Sequence, residues 1–160
     1  MKNWKATLGG NEFKVMRLQD APPVPATDTP EKIEAYLRPR LAESLRYNPD
    51  VENFGIVLLN TRKSPIGFEV VSNGTLDTIL IHPREVFKAA ILFNAAALIL
   101  VHNHPSGNPS PSEADIKVTR DLIRAGQLMK IEVLDHIILG AKTESDKGYT
   151  SLRELGYFYS

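Results

Sequence analysis

Hydrophobic positions change texture along this chain, and the changes mark its elements. Near the N-terminus two short alternating runs, Lys5–Leu8 and Glu12–Leu18, flank Gly9-Gly10-Asn11 and predict a hairpin. Ala21-Pro22-Pro23-Val24-Pro25 follows as a stiff, extended connector. Ile33, Leu37, Leu41 and Leu45 then recur every fourth residue, which places them on one face of a helix. Thr29 is its expected N-cap and Pro30 its first position, while Pro39 predicts a kink or a split into two short helices.

From Phe54 the apolar runs become almost continuous. Phe54–Asn60 reads as a buried strand, and Ile66–Val71 as a second one. Asn73-Gly74 is a two-residue hairpin signal leading into Thr75–Ile81. Pro83 opens a helix whose Val86, Ala90 and Ile91 share a face. Ala95–Val101 is the most apolar run and predicts a central strand. A Pro/Ser/Gly loop precedes a helix from Glu113 to Ala125, expected to stop at Gly126. Ile131–Leu139 is another buried strand, and the tail reads as irregular. This order predicts an α/β fold, a mixed sheet flanked by helices in one layered domain over residues 29–160, with residues 1–28 as hairpin and connector.

Composition narrows the chemistry. The 160 residues suit one domain with its own core, and the absence of cysteine removes disulfides, thiolate metal sites and cysteine nucleophiles. Nineteen basic residues balance nineteen acidic ones, where a dedicated polyanion binder would carry a basic excess. No apolar run approaches the ~18 residues of a membrane span, and the first residues lack the apolar region of a signal peptide. A cytoplasmic protein is the expectation.

Two of the four histidines, His102 and His104, follow the central strand. Side chains at i and i+2 on a strand point to one face, so both imidazoles can reach a single point at the strand's end. Ser112 and Asp115 stand in the first turn of the next helix, beyond a Pro-rich loop able to fold that helix back over the same point. Two imidazoles and a carboxylate leave a fourth position for water, the pattern of catalytic zinc. Ser112-x-x-Asp115 also approximates a capping box, and the two readings are compatible, since Ser112 can cap while Asp115 coordinates.

His102-x-His104, seven residues, Ser112, two residues and Asp115 reproduce the JAMM signature of the JAB/MPN metallopeptidase superfamily. The string HNHPSGNPSPSEAD, with IHPREVFKAAILFNAAALILVHNHPSG running into it and VLDHIILG after it, resembles the RadC branch. The resemblance runs from about Glu52 to Tyr157. It implies the MPN fold, similar to that of cytidine deaminase. It implies zinc held by His102, His104 and Asp115, and hydrolysis of a peptide or isopeptide bond in a protein or peptide substrate. It also implies an essential glutamate ahead of a Gly-x-apolar-apolar run. Here that pattern is Glu52-Asn53-Phe54-Gly55-Ile56-Val57-Leu58, which makes Glu52 the candidate general acid/base, with Glu69 and Glu85 as rivals. The Ser112 hydroxyl is the expected oxyanion partner beside the metal.

His82, before Pro83, reads as a helix-start residue, and Asp135-His136 lies within an apolar strand whose alternation sends the two side chains to opposite faces. Of that pair, Asp135 is the candidate to support a ligand imidazole. Typical RadC proteins also carry an N-terminal region of helix-hairpin-helix character linked to DNA, which residues 1–50 do not resemble. A nucleic-acid role therefore rests on a local patch of Arg38, Arg40, Arg46, Arg62 and Lys63. A non-catalytic scaffold is the remaining alternative; scaffold members of the superfamily lose ligands that this chain keeps.

Overall fold

The structure is a computed structural model that describes residues 4–8, 11–15, 29–74 and 81–159. Strands β1 (Trp4–Leu8) and β2 (Asn11–Val15) pair antiparallel as the expected hairpin. Residues 16–18, placed in the second strand by pattern, and the Pro-rich connector lie outside the described residues.

The main sheet has five strands in the order β4-β3-β5-β6-β7. They are β3 (Glu52–Leu59), β4 (Pro65–Gly74), β5 (Ala97–Asn103), β6 (Glu132–Leu139) and β7 (Tyr149–Ser151). Only β5 and β6 run parallel, and α3 (Glu113–Met129) makes the crossover between them. The fold is thus α/β with a mixed sheet flanked by helices. On one face α1 (Pro30–Glu43) buries Ile33, Leu37 and Leu41 against Val57, Ile99 and Ile137. On the other, α2 (Pro83–Leu92) and α3 bury Val86, Phe87 and Leu122 against Phe54, Leu98 and Leu100. Both faces of β3 and β5 are covered, which is why their sequences read as unbroken apolar runs.

Several expectations are corrected. Helix α1 runs through Pro39 as one element, capped by Thr29, and ends before Leu45, which is fully exposed. Ile91 also faces solvent, and Phe87 takes its place in the core. Asn73 and Gly74 do not turn. They stay in the ladder opposite Asn53 and Glu52, where the Asn73 side-chain amide donates to Arg46 O and to Asn53 Oδ1. The turn signal loses because its polar side chain finds tertiary partners; residues 75–80 lie outside the described residues. Helix α3 continues past Gly126 to a left-handed Lys130 cap. A Cβ at Gly126 would stand 2.4 Å from Ile131 O, so this glycine admits the start of β6 against the helix and does not end it. The tail contributes β7, so it is not wholly irregular.

Candidate metal centre

Strand β5 ends at Asn103, and the His104 N–H continues the pairing by donating to Leu139 O at 2.8 Å. The imidazoles of His102 and His104 therefore fall on one side, their Nε2 atoms 2.9 Å apart. The loop after them is held down on β6. Ala141 N donates to Gly107 O, and Gly140 sits where a Cβ would lie 2.3 Å from that same oxygen. This brings the N-terminus of α3 over the two rings.

Ser112 is the N-cap of α3, and the capping box is complete. Its hydroxyl accepts from Asp115 N, while Asp115 Oδ2 accepts from Ser112 N at 2.6 Å and from Ser112 Oγ at 2.8 Å. That leaves Asp115 Oδ1. It is buried, has no hydrogen-bond partner, and stands 3.2 Å from His102 Nε2. Asp115 Oδ2 is 3.5 Å from His104 Nε2. His102 and Asp115 are fully buried, and the His104 side chain keeps 12% of its surface. A cleft of about 260 Å³, lined by Arg38, Leu41, Tyr47, Asn103, His104 and Pro105 among others, opens beside it.

Proton bookkeeping defines what this cluster needs. His104 Nδ1 lies 2.7 Å from Asn108 O, a pure acceptor, so Nδ1 carries a proton and the neutral ring presents its lone pair at Nε2. Behind His102, its Nδ1 is 2.8 Å from His136 Nε2, and His136 Nδ1 is 2.6 Å from Thr119 Oγ1. Burial pushes the fully enclosed His136 well below its ordinary pKa, so it is neutral. Burial would push Asp115 up, but its contacts with His102, His104 and Ser112 outweigh that and hold the carboxyl well below the usual carboxylate range. The Asp115 contact raises His104 against the effect of burial, with help from Asn108 O and the charge of Glu52. A buried anion thus faces imidazole nitrogens with an oxygen to spare. The arrangement calls for a cation among them.

A metal ion fits. One ligand atom from each of His102, His104 and Asp115 lies within 4.8 Å of the others, close to the ~4.2 Å that two bonds of about 2.1 Å to one ion span at most. Two imidazoles with one carboxylate are also a donor set typical of zinc. Among the described residues, His102, His104 and Asp115 form the cluster able to hold such an ion.

Comparison with known proteins agrees with this geometry. A family model described as the RadC-like JAB domain matches residues 27–157. The chain belongs to the RadC-like JAB domain family. Its relatives include UPF0758 protein STH371 of Symbiobacterium thermophilum, 47% identical over 127 residues (79% of this chain and 50% of the relative). A UPF0758 protein of Moorella thermoacetica is 53% identical over 114 residues (71% and 47%). One from Methanosarcina acetivorans is 43% identical over 129 residues (81% and 52%). The chain spans about half the length of these curated relatives.

The other candidate residues of this JAB domain sort by position. Glu52 opens β3, two residues before Phe54, which pairs with His102. Strand alternation therefore puts it on the side of the histidines, at the level of His104, and its charge acts on that ring. The end of β3 is pinned there by Asn103, whose Oδ1 accepts from both Asn53 N and Asn53 Nδ2 at 2.9 Å. Gly55 serves β4, because a Cβ there would meet Glu69 O and the Phe68 ring. Glu69 lies on β4, raised by burial and acted on by Lys88, Arg46 and Glu85. Glu85 bonds Lys88 in the first turn of α2. His82 is the N-cap of α2.

One assignment reverses. Asp135 does not support the His102 imidazole; His136 does. Between β5 and β6 the register slips, with Leu98 opposite Val133 but Ile99 opposite Asp135, so Leu134 is an extra residue in β6. The bulge turns Asp135 away from the α3 face, where it accepts from Ser151 Oγ, His136 N and Arg153 N, and turns His136 toward His102. Thr119 was also invisible to pattern. The only sequence signal for it was its place one helical turn after Asp115.

Proposed function

We propose that this domain is a zinc-dependent hydrolase of JAMM type that cleaves an amide bond, peptide or isopeptide, in a protein or peptide substrate. The observation that carries the reading is the buried, unpartnered Asp115 Oδ1 beside His102 Nε2, itself 2.9 Å from His104 Nε2, next to an open cleft. His102, His104 and Asp115 would hold the ion. A zinc bound there supplies a water whose proton is lost near neutral pH. Glu52 would take a proton from the attacking water and pass it to the departing nitrogen, a task that suits a half-buried carboxylate beside but outside the ligand set. Ser112 donates to the oxyanion once its hydroxyl rotates from Asp115 Oδ2, which keeps the Ser112 N–H as its donor.

The basic patch gives less support to a nucleic-acid role, because several of its members are engaged internally. Arg38 bonds Glu34 and the carbonyls of Gly140 and Gly148, Arg46 bonds Val70 O, and Lys63 bonds Glu132. A scaffold reading is separated from the enzyme reading by one pair of variants. Glu52→Gln should keep its zinc and melting temperature while hydrolysis of a peptide or isopeptide library falls by about 10²–10⁴-fold. His104→Ala should lose zinc and activity together. Full activity in Glu52→Gln would remove Glu52 from the mechanism, and zinc-loaded protein that cleaves nothing would favour the scaffold.

A further inference from the structure

A neutral imidazole can place its single proton on either nitrogen, and only one choice leaves His102 able to bind a metal through Nε2. The contacts behind His102 make that choice. Thr119 Oγ1 lies 2.6 Å from Asp115 O, and a carbonyl can only accept, so the hydroxyl's one proton is committed there. Thr119 Oγ1 is then an acceptor toward His136 Nδ1 at 2.6 Å, and the His136 proton must sit on Nδ1. His136 Nε2 is left with a lone pair, which accepts from His102 Nδ1 at 2.8 Å. The His102 proton is thereby held on Nδ1, and its Nε2 lone pair faces His104 and Asp115. All three relay residues are fully buried, so water cannot substitute for a missing partner. Phe54 lies beside both rings, nearly parallel to His102 and edge-on to His136.

We propose that Thr119 and His136 are positioning residues, a buried hydrogen-bond relay that sets the tautomer of His102 and through it the affinity of the site for its metal. The relay forms a ring. It starts at the main-chain carbonyl of Asp115, passes through Thr119, His136 and His102, and returns to the side chain of the same Asp115. Helix α3 thus supplies one ligand and, one turn later, the group that orients another. Such outer partners typically contribute 10–100-fold in metal affinity. The inference rests on the metal-centre reading, but its first consequence, the tautomer, exists without metal.

Thr119→Val tests it, since the shape is kept and the hydroxyl is lost. With no acceptor at Nδ1, His136 is free to carry its proton on Nε2, which forces the His102 proton onto the metal-facing nitrogen. Zinc affinity, measured by competition with a chromophoric chelator, should fall about 10–100-fold, and Thr119→Ser should restore it. Two-bond ¹⁵N–¹H spectra of the metal-free protein, with four histidines to assign, should show His102 protonated on Nδ1 in the wild type and in Thr119→Ser. In Thr119→Val the proton should move to Nε2. Equal zinc affinity in the Val and Ser variants, or an unmoved His102 proton, would overturn the relay. Absence of zinc binding by the wild type would overturn the metal reading instead, and the tautomer comparison would still decide the relay. Should Thr119→Val fail to fold, His136→Gln against His136→Phe poses the same question. A glutamine can accept from His102 and donate to Thr119, and only that variant should keep wild-type affinity.

Discussion

Two buried aspartates, Asp115 and Asp135, stand on opposite faces of the same sheet and are finished in opposite ways. Asp135 is enclosed among β6, β7 and the turn after it, and protein donors meet both of its oxygens: His136 N and Arg153 N on Oδ1, Ser151 Oγ on Oδ2. Asp115 is also buried, yet its donors crowd onto Oδ2 and leave Oδ1 facing the His102 imidazole. A carboxylate that serves the fold has its lone pairs filled by the fold, because an unpaired buried oxygen costs stability and returns nothing. One that keeps an oxygen in reserve, beside two aligned imidazoles, is shaped for something that arrives later. The contrast distinguishes a structural acid from a candidate ligand at nearly the same burial.

That contrast can be broken most severely at Asp115. Asp115→Asn should reduce zinc affinity by more than the roughly 10–100-fold expected for an outer partner, because a ligand charge itself is removed. Metal content of the purified protein measures it, and retention of one zinc per chain would end the distinction. At Asp135 the same comparison predicts the converse. Asp135→Ala strands two buried donors, His136 N and Ser151 Oγ, with the part-buried Arg153 N, and should cost about 2–3 kcal/mol in urea unfolding, with zinc stoichiometry unchanged. Loss of zinc in that variant would mean that the two faces are coupled.

The smallest effect concerns pH. Burial holds the Asp135 carboxyl above its ordinary range, against the hydrogen bonds from Ser151, Arg153 and His136 and the charge of Arg153. The folded chain therefore binds this proton more tightly than the unfolded chain does. The corresponding stability is fully present below the ordinary carboxylate value and is lost as pH rises through the raised one. Asp135→Asn, which carries no titrating proton, should gain on the wild type across that window. Parallel plots of urea midpoint against pH would contradict this.

What the sequence determined by itself was everything local in origin. Continuous apolar runs announced strands covered on both faces, and the turn preferences of Thr29 and Ser112 marked helix starts that the structure keeps. The i, i+2 spacing of His102 and His104 required a shared face once their strand was known, and Asp115 followed from the short loop. The tertiary structure decided whatever depended on a neighbour. Gly126 stays helical because Ile131 O passes over it, and Asn73 stays in a strand because Arg46 and Asn53 capture its amide. The decisive case is Leu134. Strict alternation along β6 from Val133 would bring Asp135 to the site, but one unpaired residue reverses the order and brings His136. A strand's period of two belongs to the chain, whereas its register belongs to the pair of strands, and only the folded pair could choose which of two adjacent polar residues would stand behind His102.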